Sequence, residues 1–221
     1  MPDFDETLRG RRSVRAFLPE PVPMERILEC LELAQHTPSN CNVQPWRVFL
    51  ASGAARDRVR ARLVEAVTSG VPGDGTDPID DFQGDYRTKQ VACAVEMYGH
   101  MGVARGDKEG RFRANLRNFE LFDAPHVAFV AMEKSFGVGV ALDVGMWVQT
   151  FMLALASRGI GSCAQASLRS YTGIVREELG MPESLRLLCG ISFGYEDAAA
   201  SVNRTRQPRN PVSANVVFRS E

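Results

Sequence analysis

The run VGVALDVGMWVQTFMLALA, Val138 to Ala156, constrains the fold of this chain more than any other stretch. It is almost wholly apolar and nearly long enough to cross a bilayer. Asp143 and Gln149 lie inside it, and Gly139, Gly145 and several alanines thin its hydrophobicity. Charge is costly at membrane depth, so the run reads as a central helix of a water-soluble fold, buried on most sides and capped near Gly159. With 221 residues, 44% of them hydrophobic, a sizeable core can form around it.

The surrounding pattern alternates helices and strands, with helices in excess. Helices are expected at Phe4 to Gly10, Glu25 to Gln35, Ala54 to Val67, 86 to 104, 108 to 121 and 170 to 180. In the second of these, Ile27, Leu28, Leu31 and Ala34 form the apolar face, and the third carries Arg56, Arg58, Arg60 and Arg62 on a solvated surface. Strands are expected at Trp46 to Ala51, His126 to Met132 and Arg186 to Phe193, and VVF at 216 to 218 has the composition to pair as one more. Residues 69 to 85 are acidic and loop-like. Together these describe a small sheet wrapped by helices.

Several classes of function are disfavoured. A net charge of −1 argues against a general nucleic-acid binder. Five scattered cysteines without a C-x-x-C pair support neither structural zinc nor a disulfide framework. His36, His100 and His126 have no metal-ligand spacing. The N-terminal MPDFDETLRGRR lacks an apolar signal core, and a reducing cytoplasm is the expected compartment.

Two features call for a ligand. TPSNCNVQPW, 37 to 46, gathers Thr37, Ser39, Asn40, Asn42 and Gln44 between two prolines without one charge. Such residues make turns; they also suit a polar heterocycle that offers both donors and acceptors. RGRRSVR, 9 to 15, and NRTRQPR, 203 to 209, are arginine clusters free of acids. In an extended segment Arg204 and Arg206 would point the same way and form a fork for phosphate oxygens. Neither a P-loop nor a dinucleotide glycine fingerprint is present, so any phosphate would be held by side chains.

RRSVRAF at 11 to 17, PSNCNVQPW at 38 to 46, GIGSCAQASL at 159 to 168, LCGISFGY at 188 to 195 and NRTRQP at 203 to 208 together resemble the FMN-dependent nitroreductase family, in order and across nearly the whole chain. The resemblance implies a single α+β domain over 1–221, with a small, mostly antiparallel sheet surrounded by helices. It also implies an intertwined homodimer with FMN at the subunit interface. Segment 69–122 would vary with substrate, and 203–221 would be a C-terminal extension. Arg11, Arg12, Ser13 and Arg15 would meet the phosphate, ribityl chain and pyrimidine edge, and Arg204 and Arg206 would complete the phosphate site. Pro38, Ser39, Asn40 and Asn42 would line the partner's flavin, with Gln44 holding their loop. Ala164, Gln165, Ala166 and Ser167 would pass along the ring, with the Ala166 N–H as donor to the hydride-accepting nitrogen.

One departure stands out. Leu121 sits where short relatives carry a lysine three residues after an asparagine, here Asn118. The implied activity is reduction of nitroaromatic compounds or quinones with NAD(P)H, in two-electron ping-pong turnover. The chemistry would belong mainly to the cofactor, and Phe119, Phe122 or Tyr98 would either wall the ring or join the core. A specialised reductase of the same fold (a dehalogenase, enone reductase or flavin-fragmenting enzyme) and a flavin-binding protein without turnover are the alternatives.

Overall fold

The computed structural model describes residues 2–75 and 81–220, so part of the loop expected at 69 to 85 lies outside the described residues. Helices α1 (Phe4–Gly10) and α2 (Met24–Gln35) precede strand β1 (Arg47–Ser52) and helix α3 (Gly53–Thr68). Helices α4 (Gly84–His100) and α5 (Lys108–Phe119) lead to strand β2 (His126–Glu133) and the long helix α6 (Val138–Ala156). Strand β3 (Gly161–Gln165), helix α7 (Thr172–Leu179) and strand β4 (Leu185–Gly194) complete the core, and an irregular tail follows.

The four strands pair antiparallel in the order β1-β2-β4-β3, leaving β1 and β3 as edges. Side chains alternate across the central strand β2. Ala128, Val130 and Met132 face α2 and α6, and Val127, Phe129 and Ala131 face α3 and α7. In β4 the buried hydrophobic residues Leu185, Leu187, Ile191 and Phe193 are all odd-numbered, yet the first two join one face and the last two the other. A bulge resolves this: Ala131 pairs with Leu187 while Val130 pairs with Cys189, and the extra residue, Leu188, inverts the parity.

Local chemistry explains the helix ends. Asp3 accepts the Glu6 N–H at 2.8 Å and Glu6 accepts the Asp3 N–H at 3.2 Å, a capping box for α1. After α6, Gly159 takes φ 72°, its N–H reaches the Ala156 carbonyl and the Ile160 N–H reaches that of Leu155. This is the expected glycine cap, in the Schellman form.

The structure corrects four expectations. On α2 the buried positions are Ile27, Cys30 and Ala34, and Leu28 is exposed, because it sits about 100° around the helix from Ile27. On α3, Arg58 and Arg62 are paired with Glu177 and Glu178 of α7 rather than simply solvated. Residues 216–218 are not a strand; they pair with neither sheet edge, and Phe218 is 81% exposed. Finally, α6 is not buried on most sides. Trp147 and Phe151 fill the core, while Val138 (90% exposed), Leu142 (67%) and Met146 form an apolar stripe facing outward.

Candidate active site

The segment from Arg11 to Phe17 runs extended beside the edge strand β3. Ser13 bridges Ser162, and the Val14 N–H donates to the Ser162 carbonyl at 3.0 Å. Val14 and Phe17 turn into a small core with Phe122, Ala124 and Cys163. The close approach needs Gly161, where a β-carbon would lie 2.9 Å from a Val14 methyl.

The C-terminal tail is stapled to this segment by Asn203, a buried residue. Its Oδ1 accepts the Arg15 N–H at 2.8 Å, and its Nδ2 donates to the carbonyls of Ala16, at 2.8 Å, and Asp197, at 2.9 Å. Every polar atom of the amide is used. The staple brings the two arginine clusters together around a cavity of about 800 Å³. Arg9, Arg11, Arg12, Arg15, Arg206 and Arg209 line it with Ser13 and Gln149, and no acid does among the described residues. Arg11 and Arg15 also favour the anionic form of buried Cys163, but burial outweighs them and pushes that thiol up.

The arginines are not equivalent. Arg12 is paired with Glu196, although its Nε is buried without a partner. The Nε of Arg11 is likewise buried and unpartnered. Arg206 is held in place by its own main chain: its Nη1 donates to Asn203 O at 2.8 Å and Thr205 O at 2.9 Å. Arg204 departs from expectation. It ends a 3₁₀ turn, Ser201–Arg204, instead of sharing an extended segment with Arg206, and it does not line the cavity. Arg209 takes the second tail position there.

Gln165 and Ala166 lie where the edge strand ends. The Gln165 side chain is 3% exposed and faces inward, donating to the Asn118 carbonyl at 2.8 Å and accepting from the Ser192 hydroxyl. Its amide therefore positions the strand end and is not free for a ligand. Ala166 is exposed and opens the 3₁₀ turn Ala166–Tyr171, so its N–H has no acceptor within that turn. Ser167 Oγ, next to it, is buried without a partner. Leu121 is fully buried, so the position where the family resemblance implies a lysine is here part of the core; Phe119 also packs in the core, against Tyr171.

A second cavity, of about 760 Å³, lies between α4, α5 and the tail. It shares Arg15, Gln207 and Arg209 with the first, and Asn118 and Phe122 also line it. Glu96 of α4 ties the tail down here, accepting the Arg206 N–H at 2.8 Å and bonding the Gln207 amide.

The neutral loop stands apart. Asn40, Asn42 and Gln44 are exposed and line neither cavity. The loop is nevertheless shaped: Asp143 accepts the Asn40 N–H at 3.1 Å, Ser39 Oγ accepts the Gln44 N–H at 3.0 Å, and Cys41, Asn42 and Gln44 have positive φ. The acid inside the apolar helix thus anchors this loop. Pro38 and Ser39 precede it and line neither cavity, so one chain does not bring all the expected residues into one cavity.

Sequence reasoning missed Asn203, Arg209, Gln149 and Glu96 as site-forming residues. Asn203 opens the NRTRQPR cluster, but a neutral amide beside arginines carries no sequence signal of its own. Gln149 was visible only as an uncharged exception in an apolar helix. Among the described residues no group of three or more histidine, cysteine or acidic side chains is placed to hold a metal.

The chain matches the model of the nitroreductase family over residues 8–195. It is 40% identical over 220 residues to nitroreductase NfnB of Mycolicibacterium smegmatis, covering 97% of this chain and 92% of that protein. It is 34% identical over 211 residues to the 4-nitrobenzoate reductase of Pseudomonas putida, covering 94% and 91%. Among solved structures, that of the FMN-dependent nitroreductase NfnB from Mycobacterium smegmatis in complex with NADPH superimposes with a TM-score of 0.94 at 39% identity, covering 98% of this chain and 97% of that one.

Proposed function

Since the chain belongs to the nitroreductase family, we propose that it is an FMN-dependent oxidoreductase that reduces nitroaromatic compounds, and quinones with them, at the expense of NAD(P)H. The observation that carries this reading is the cavity of six arginines, with no acid among its described lining residues, formed by the segment that runs along edge strand β3.

The residues fit FMN. Arg11, Arg206 and Arg209 are the natural partners of its phosphate, because guanidinium forks match phosphate oxygens and charge-assisted bonds are roughly twice as strong as neutral ones. The unpartnered Nε of Arg11 and Oγ of Ser167 are donors that a bound ligand would satisfy. When bound, FMN supplies the redox chemistry of such an enzyme: hydride uptake from NAD(P)H and two-electron delivery to an acceptor. The chain's part is to bind and orient. Arg15, shared by both cavities, is a fixed positive charge that favours negative charge on a neighbouring ring edge. Ala166 would offer its N–H to the ring from a turn held by the Gln165–Asn118 and Gln165–Ser192 bonds.

We further read the working unit as a homodimer in the cytoplasm, formed by one domain per chain. Two features support the dimer: the apolar stripe of α6, and the built but uncommitted loop of Pro38, Ser39, Asn40 and Asn42, which a partner's flavin would occupy. Heat release of the cofactor followed by mass analysis tests the reading. FMN is expected; FAD, or no flavin after reconstitution, would overturn it.

A further inference from the structure

We propose that the second cavity selects nitroarenes bearing an anionic substituent, and that Lys89 is the residue that pairs with that substituent. The inference rests on the function proposed above and names the substrate class of that site. Phe82, Tyr86, Met97, Met101 and Phe122 give the cavity apolar and aromatic walls, and at about 760 Å³ it has the size of a small-molecule site. It adjoins the arginine cavity at Arg15, so a ring seated in it lies next to the cofactor site.

The charges lining it are unbalanced. Lys89, Arg15 and Arg209 are cationic, and Glu96 is the only acid among the described lining residues. Both Glu96 oxygens are committed to the tail, at the Arg206 N–H and the Gln207 amide. Glu96 also lies two helical turns from Lys89, about 10 Å along α4. Arg15 and Arg209 are shared with the arginine cavity and serve the cofactor's own charge. Lys89 is the cation that lines the second cavity alone. Its Nζ lies 5.9 Å from the centroid of the Tyr86 ring, and no carboxylate among the described residues is within ion-pair distance of it. Contact with an aromatic face holds an ammonium beside an apolar wall without neutralising it. A neutral nitroarene would fill the walls and leave that charge unused; a carboxylate or sulfonate on the ring would meet it.

The test isolates the acceptor step. FMN-loaded enzyme is reduced by light, without nicotinamide, and mixed with nitrobenzene, 4-nitrobenzoate or 4-nitrobenzylamine, the last a cation at neutral pH. Intrinsic acceptor reactivity cancels when the ratio of rate constants is compared between variants. Lys89→Glu should lower the nitrobenzoate-to-nitrobenzene ratio on the order of tenfold and raise the nitrobenzylamine-to-nitrobenzene ratio, with Lys89→Arg near wild type. The effect should shrink as salt rises, because Lys89 is exposed. Unchanged ratios in Lys89→Glu overturn the proposal; if separate steady-state turnover then shows a raised KM for NADPH, the cavity belongs to the dinucleotide. Benzoate binding to the oxidised holoenzyme, read from flavin absorbance, keeps the two proposals separable. Weakening by Lys89→Glu supports the charge pairing even if no nitroarene is reduced, and identical affinity refutes it.

Discussion

Asn203 accepts the backbone N–H of Arg15 at 2.8 Å across 188 residues of sequence. This bond, with the two that Asn203 donates to Ala16 and Asp197, converts two remote arginine clusters into one cavity. The charge of the site comes from the arginines, and its existence comes from an amide. Asn203→Ala should leave buried donors and acceptors unsatisfied and cost about 1–3 kcal/mol of stability. It should also weaken FMN binding although Asn203 is buried away from the ligand. Thermal unfolding of the apoprotein and flavin titration measure the two effects separately, and loss of stability with unchanged FMN affinity would deny the staple its role in the site.

The arginines should divide by position. Arg11→Ala and Arg206→Ala each remove a charge-assisted partner of the phosphate and should weaken FMN binding by about 1.5–3 kcal/mol. Arg204→Ala should cost clearly less, because Arg204 lies in the 3₁₀ turn and outside the cavity. Equal losses at Arg204 and Arg206 would restore the two-pronged clamp that the extended reading of the tail implies.

The same contrast shows what a sequence conveys and what it hides. Strand β2 has a continuous apolar centre and β4 is largely apolar, and both read directly. Strand β3, GSCAQ, does not: an edge strand of small residues has neither alternation nor bulk. VVF at 216 to 218 has the composition of a strand but pairs with neither edge, and propensity without a partner makes no strand. Gln165 was recognisable as part of the flavin-edge motif. That its amide turns inward to Asn118 and Ser192 depends on what packs behind β3, which no local pattern encodes. The arginine clusters were legible as charge, but the bond that unites them spans nearly the whole chain.

The α6 stripe predicts the assembly. Leu142→Glu places a carboxylate in the middle of Val138, Leu142 and Met146, an apolar face that one chain leaves uncovered. If that face is the subunit interface, the variant should shift the protein from dimer to monomer and lose FMN, since Asn40 and Asn42 would no longer reach the partner's cofactor. Light scattering with flavin absorbance reads both. A wild-type monomer that retains FMN would contradict the assembly.

His126 should give the fold an acid-sensitive point. Its Nε2 accepts the Val22 N–H at 2.9 Å and its Nδ1 lies 2.6 Å from Ser52 Oγ. Burial, and then the charge of Arg56, hold its pKa below the ordinary histidine value. The folded state therefore favours neutral imidazole, while the unfolded chain titrates near 6.5. Stability from this residue is complete above that pH and declines as pH falls toward the lower folded pKa, by up to about 1.4 kcal/mol per pH unit. Unfolding curves between pH 7.5 and 5 should show this slope in wild type and a shallower one in His126→Gln. Parallel slopes would exclude His126 as the source.

The central claim is that this chain uses bound FMN to pass electron pairs from NAD(P)H to nitroaromatic compounds at one site. An anaerobic titration of the FMN-loaded protein tests it most directly. The account predicts that one equivalent of NADPH or NADH bleaches the flavin absorbance and that a nitroarene added afterwards restores it, each oxidising equivalent recovering one flavin. A flavin that neither nicotinamide bleaches, or one that bleaches but is not recoloured by any nitroarene, would contradict it.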